Sequence, residues 1–175
     1  SSVGGHYDVA AWSTWITRMH RSPVARTRPL IAALLCCVAS QALALDAQEK
    51  RIVGAVDARQ AQTLGLLAET VDIDSATESH AGVRKVGDVL ARELSRLDFE
   101  TRWADVPAEV GRAGHLVAVH RGTKGQRLLL IGHLDTVLEG ERFRRDGNRA
   151  YGSGTADMKG GNVIIVEALR ALHAT

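Results

Sequence analysis

Proline is scarce in this chain, three in 175 residues, and no polar or charged block runs long enough to form a disordered tail. The composition therefore excludes an extended, solvated polymer. Cysteine is scarcer still. Cys36 and Cys37 stand side by side in one apolar run, so everything after Ala44 lacks thiols and with them disulfides and thiolate metal ligands. That run, Leu30 to Ala39, is too short to cross a bilayer, for which roughly 20 apolar residues are needed. What the chain does have is 45% hydrophobic content, enough for one ordinary core and hardly for two.

Net charge is small and unevenly placed. Arg18, Arg21, Arg26 and Arg28 against Asp8 give residues 1–44 a charge of +3, so of the overall +2 the remainder carries −1. The basic excess belongs to a segment with the three parts of an export signal: basic Met19 to Pro29, apolar Leu30 to Ala39, then Ala42-Leu43-Ala44. The expectation is cleavage after Ala44 and a periplasmic or secreted product with no membrane association. Residues 1–18 form an unassigned leader, 19–44 the signal peptide, and 45–175 the working part. Leu35 is bulky for a lipoprotein site before Cys36, and the competing reading of the apolar run is a buried helix of the domain. With the basic segment removed, the charge offers nothing to nucleic acid, and that partner class is excluded.

In the working part, Ile52, Val56, Thr63, Leu64 and Leu67 recur at helical spacing, as do Val83, Val86, Leu90, Leu94 and Leu97. Val71 to Ser75 breaks the pattern with turn-forming residues and reads as a loop. Phe99, Thr101 and Trp103 alternate, and Leu116 to Val119 is short and apolar; both predict strands. The aliphatics Leu128-Leu129-Leu130-Ile131 predict a strand buried on both faces of a helix-covered sheet. Asp146-Gly147-Asn148 suits a hairpin turn, and Met158 to Ala174 predicts a helix with Val163, Ile164, Val166, Leu169 and Leu172 apolar. The order of elements is that of an α/β protein.

Two motifs carry chemistry. His133-Leu134-Asp135 closes the aliphatic strand, and residues two apart on a strand share a face. His133 is thus placed to offer a ring nitrogen to a metal with Asp135 near enough to orient it, at the strand end where open α/β sheets put ligands. The same triplet also suits a plain polar strand end. The second motif runs from Tyr151 through Gly152-Ser153-Gly154-Thr155-Ala156-Asp157 to Met158-Lys159-Gly160-Gly161, a glycine-rich turn into an apolar helix. Asp157 at that helix start has two oxygens for cations, or is a simple N-cap. A dinucleotide loop is excluded because Asp157 takes the third glycine's place and would repel a pyrophosphate, and no Gly-Lys-Ser/Thr ending follows.

Together, Leu130-Ile131-Gly132-His133-Leu134-Asp135-Thr136-Val137 and the Tyr151–Gly161 motif resemble the di-zinc exopeptidase family of acetylornithine deacetylase, aminoacylase and glutamate carboxypeptidase. The resemblance covers about Asp46 to Thr175. The run Phe143-Arg144-x-Asp146-Gly147 leading to Ala150-Tyr151-Gly152 looks most like secreted bacterial glutamate carboxypeptidase. It implies part of a helix-flanked mixed sheet of a zinc exopeptidase catalytic domain, with His133 on one zinc, Asp157 bridging two zincs, and Asp135 supporting the catalytic site from behind His133. Gly154 and Gly160 would set its shape.

The implied reaction is hydrolysis of an amide bond beside a carboxylate-bearing residue such as a C-terminal glutamate, by two zincs and an activated water. The substrate would be a peptide or an N-acyl amino acid, and the full-length form a homodimer. A deacylase of N-acyl amino acids shares every motif and remains the enzymatic rival. The family's general base and remaining ligands are expected beyond Thr175. On that expectation the chain holds only the N-terminal part of the catalytic domain and is inactive alone.

Overall fold

Asp46 begins the first helix with a reciprocal cap. Its Oδ1 accepts from the backbone N–H of Gln48 (2.7 Å) and Glu49 (2.8 Å), while Glu49 Oε2 accepts from the Asp46 N–H at 2.8 Å. The structure is a computed structural model describing residues Leu45–Thr175; the expected leader and export signal lie outside the described residues. No described helix is long and apolar enough to cross a membrane.

Helix α1 spans Ala47–Asp57 and buries no residue, and after a turn at Ala58 and Arg59 helix α2 runs over Gln60–Val71. The periodicity from Ile52 to Leu67 predicted no such break. At the turn, Arg59 Nε donates to Glu167 Oε2 of a distant helix at 2.8 Å, a long-range contact that local spacing does not carry. Helix α3, His80–Ser95, has the most one-sided apolar face and sends Val83, Val86, Val89 and Leu90 inward. Helix α4, Gly160–His173, buries Val163 and Val166.

The core is where these faces meet: Leu66 of α2, Val86, Val89 and Leu90 of α3, and Val163 and Val166 of α4, with Ile73, Leu116 and Leu134 packed at its margin. Each such side chain contributes about 1.5–3 kcal/mol when withdrawn from water. One flank of the core is ionic. Glu93 of α3 accepts from Arg96 Nη1 (2.7 Å), Arg170 Nη2 (2.9 Å) and Arg92 Nε (3.1 Å), and Glu167 of α4 joins Arg59 to Arg170.

Strands β1 (Glu100–Ala104) and β2 (His115–Val119) pair antiparallel, Glu100 opposite Val119 and Ala104 opposite His115, and lie against α3. Strands β3 (Arg144–Asp146) and β4 (Arg149–Tyr151) form the expected hairpin around Gly147 at φ 57°, and the Arg144 guanidinium lies 3.9 Å from the Tyr151 ring centre. A parallel bridge, Ala76 to Thr136, connects the loop before α3 to the segment after His133. The chain is thus α/β, helices beside short sheets.

The aliphatic segment departs from expectation. Leu128 to Ile131 is in no strand ladder and stands in solvent, Leu129 at 82% exposure and Ile131 at 77%. An apolar run becomes a buried strand only where neighbours supply backbone partners and two covering faces. Among the described residues β1 and β2 pair only with each other, so none does.

Candidate functional site

Two chain segments are brought together by long-range ties. Thr136 N–H donates to the Ser75 carbonyl at 2.9 Å and Thr77 N–H to the Thr136 carbonyl at 3.1 Å, which fixes the segment after His133 against the loop before α3. Asn162, buried in the first turn of α4, donates from Nδ2 to the His133 carbonyl at 2.7 Å. A Cβ at Gly132 would collide with Asn162 Oδ1, so this approach requires glycine there.

The glycine-rich turn is held as firmly. Gly154 takes the left-handed conformation at φ 79°, and Lys159, 1% exposed, donates from Nζ to the Ile73 carbonyl at 2.8 Å. Burial lowers the Lys159 pKa, against the charges of Asp74 and Asp72, which favour the ammonium. Ser153 and Glu141 bond reciprocally across the loop between, backbone N–H to carbonyl at 2.9 Å and N–H to Oγ at 3.1 Å.

Between Gly154 and α4 the turn Thr155–Lys159 is not regular helix. Asp157 (φ −135°, ψ 102°) is extended, Met158 (φ −130°, ψ 34°) is neither extended nor helical, and the peptide bond joining them is cis. Met158, expected to open the helix, thus precedes it. The reading of Asp157 as an N-cap is not what forms: no side chain caps this helix start. Instead Asp157 Oδ1 lies 2.8 Å from His133 Nε2, with the carboxylate 85% exposed.

His133, Asp135 and Asp157 are therefore one cluster. The other imidazole nitrogen, Nδ1, is 2.9 Å from the Asp135 carbonyl oxygen and 3.2 Å from Asp135 Oδ1. A carbonyl can only accept, so Nδ1 carries a hydrogen, and the 2.8 Å contact with the Asp157 carboxylate is closed by a second hydrogen on Nε2, the imidazolium form; a cation taking Nε2 would displace that hydrogen. Burial disfavours the imidazolium, yet the bond to Asp157, the Asp135 carbonyl and the two carboxylate charges outweigh it and raise the His133 pKa above its ordinary value. Asp135 shows the converse. Burial pushes its pKa up, but the Thr77 hydroxyl, donating to Oδ2 at 2.7 Å, and neighbouring His133 bring it below the usual carboxylate range.

The donor chemistry suits zinc, which takes imidazole nitrogen and carboxylate oxygen. One nitrogen and one exposed carboxylate converge, with Asp135 on the far side of the ring. Among the described residues no group of three or more histidines, cysteines, aspartates or glutamates is arranged around one metal position, so the fit rests on two donors, His133 and Asp157. Gly160 also fits its expected part, since a Cβ there would come 2.5 Å from the Thr155 carbonyl oxygen. The motifs did not point to Thr77, Lys159 or Asn162. Thr77 lies 58 positions from Asp135 in a loop with no pattern of its own, whereas Lys159 stands inside the second motif without an assigned part and Asn162 directly follows it.

With this geometry in view, the sequence relatives are informative. Residues 129–175 match the profile of peptidase family M20/M25/M40. The chain is 36% identical over 153 residues to carboxypeptidase G2 of Pseudomonas sp., covering 83% of this chain and 36% of that protein. It is 37% identical over 122 residues to acetylornithine deacetylase of Photorhabdus laumondii, covering 65% of this chain and 29% of the relative. To the acetylornithine deacetylase of Salmonella arizonae it is 39% identical over 95 residues, 50% and 24% of the two. The chain thus spans about a third or less of the length of these relatives. The matched stretch holds both motifs, so the family they resemble is peptidase family M20/M25/M40, and residues 129–175 carry its profile.

Proposed function

We propose that this chain supplies part of the metal site of an exported amide hydrolase, a carboxypeptidase-like exopeptidase, in which His133 and Asp157 hold zinc. The observation that carries this reading is the 2.8 Å approach of His133 Nε2 to Asp157 Oδ1, with Asp135 and its carbonyl holding the opposite ring nitrogen. An exposed carboxylate that caps no helix and shares a hydrogen with an imidazole nitrogen is arranged so that a cation can take that hydrogen's place.

When bound, a pair of zincs lowers the pKa of a water and polarises the scissile carbonyl. The chain's own part is to hold and orient. Asp135 and its carbonyl keep the hydrogen of His133 on Nδ1, and Asp157 presents Oδ2 without a hydrogen-bond partner among the described residues, free for a second ion. Peptides and N-acyl amino acids are the substrate classes that the carboxypeptidase and acetylornithine deacetylase relatives support for this reading, and a C-terminal glutamate is what the resemblance of the motifs adds. A deacylase of N-acyl amino acids uses the same residues.

Zinc titration of the chain, followed by calorimetry, tests the ligand assignment. With two protein ligands in place of the usual three or four, binding is expected to be weak. Asp157→Ala and His133→Ala should each remove it and leave the helical circular dichroism unchanged. Zinc binding of equal strength in Asp157→Ala would refute the assignment. In a protein with the complete catalytic domain, Asp157→Ala should abolish hydrolysis of both substrate classes, and the ratio of the two in the unmutated protein decides between peptidase and deacylase.

A further inference from the structure

Asp135 uses its two oxygens for two different neighbours. Oδ1 faces the His133 ring nitrogen Nδ1 at 3.2 Å, and Oδ2 accepts the Thr77 hydroxyl at 2.7 Å. A carboxylate bonded on one oxygen only can rotate about its Cβ–Cγ bond, and it presents the other oxygen to a neighbour only part of the time. The hydroxyl that stops the rotation must itself be fixed. Thr77 is, because its N–H donates to the Thr136 carbonyl at 3.1 Å, while Thr136 N–H donates to the Ser75 carbonyl at 2.9 Å. Thr77 is thus anchored by its backbone to the residue next to the carboxylate it grips.

We propose that Thr77 is a positioning residue of the metal site: its hydroxyl locks the Asp135 carboxylate, which holds the Nδ1–H of His133 and so turns Nε2 toward Asp157 and the cation. The inference rests on the reading of His133 and Asp157 as ligands, and extends the chain Asp157–His133–Asp135 by one link, to a loop 58 positions away in sequence. The physical need is plain. A ring free to exchange its hydrogen between the two nitrogens offers the cation a protonated Nε2 part of the time, and groups behind a metal-bound histidine typically matter about 10–100-fold in metal affinity.

Thr77→Val keeps the shape and removes the hydroxyl, Thr77→Ser keeps the hydroxyl, and Ser79→Ala removes a hydroxyl of the same loop that bonds the Asp74 carbonyl instead. Two readouts are taken on the whole chain: zinc affinity by competition with a chromophoric chelator, and the ¹⁵N signals of the His133 ring in the zinc-free protein at a pH where the ring is neutral. Thr77→Val is expected to weaken zinc binding about tenfold or more and to move the ring signals toward a mixture of tautomers. Thr77→Ser should restore both, and Ser79→Ala should leave both as they were.

Ring signals and affinity unchanged in Thr77→Val, or altered equally by Ser79→Ala, would overturn the inference while leaving the zinc ligands standing. If the unmutated chain takes up no zinc while Thr77→Val still mixes the tautomers and Thr77→Ser restores them, the positioning role stands and the metal reading fails.

Discussion

At the scale of single residues, the site depends on side chains that no ligand touches. Asn162 is 7% exposed and spends its Nδ2 on the His133 carbonyl, so it fixes the distance between the two segments that carry His133 and Asp157. Its neighbour in space, Gly132, has no room for a Cβ because Asn162 Oδ1 is already there. Asn162→Ala leaves the carbonyl without its donor and opens space beside Gly132, and should cost about 1–3 kcal/mol of folding stability. The loss should appear as a lower urea midpoint with unchanged slope, alongside weaker zinc binding. Equal zinc affinity in a destabilised variant would show that Asn162 serves the fold alone. Asp157 illustrates what residue type and spacing decide and what they do not. An aspartate at a helix start is a cap or a ligand on equal terms in one dimension, and in the fold its carboxylate meets His133, 24 positions away, instead of a helix N–H. The Thr77 hydroxyl was not legible for the same reason: its partner is set by the bridge between Ala76 and Thr136, not by any local pattern.

At the scale of elements, α3 and α4 are legible because their apolar residues recur every three or four positions and meet one another, Val86 and Leu90 with Val163 and Val166 in one core. The ionic flank that joins α2, α3 and α4 was not, since arginines and glutamates at helical spacing look like a solvated face until a partner helix covers them. Glu93 is 8% exposed and flanked by three guanidinium groups. Burial alone would raise its pKa, and the bond from Arg92 with the charges of Arg96 and Arg170 brings it below the ordinary value. A carboxylate whose pKa is lower folded than unfolded contributes stability that is present above the unfolded pKa and lost as pH falls through the folded one. The thermal midpoint of the chain should therefore fall below about pH 4.5, the ordinary glutamate value, and go on falling to the depressed one. Glu93→Gln should lower the midpoint at pH 7 and flatten this dependence. A variant as stable as the parent at pH 7 and equally acid-sensitive would place the acid transition elsewhere.

At the scale of the whole described part, residues 45–175, an apolar run has neither backbone partners nor cover among the described residues. Leu128, Leu129, Leu130 and Ile131 are each more than half exposed, and Val137 and Leu138 beyond them are exposed too. Covering the four side chains of the run would recover roughly 6–12 kcal/mol at about 1.5–3 kcal/mol each. That equals the stability of an ordinary domain, about 5–15 kcal/mol. The reading of this run as a strand buried on both faces follows from composition, and composition states what a segment can bury, not whether neighbours are there to bury it. An extended apolar segment with free N–H and C=O groups on both edges is a template for pairing with another chain. Residues 45–175 are expected to self-associate at micromolar concentration, seen as concentration-dependent sedimentation. The double variant Leu129→Glu, Ile131→Lys should reduce this without altering zinc affinity, because both positions precede His133 and are exposed. Sedimentation as a monomer for the unmutated chain would mean that the run is covered within the monomer in solution. Equal association of the double variant would move the adhesive surface to other exposed apolar residues, with Ile164 and Leu172 of α4 the next to test.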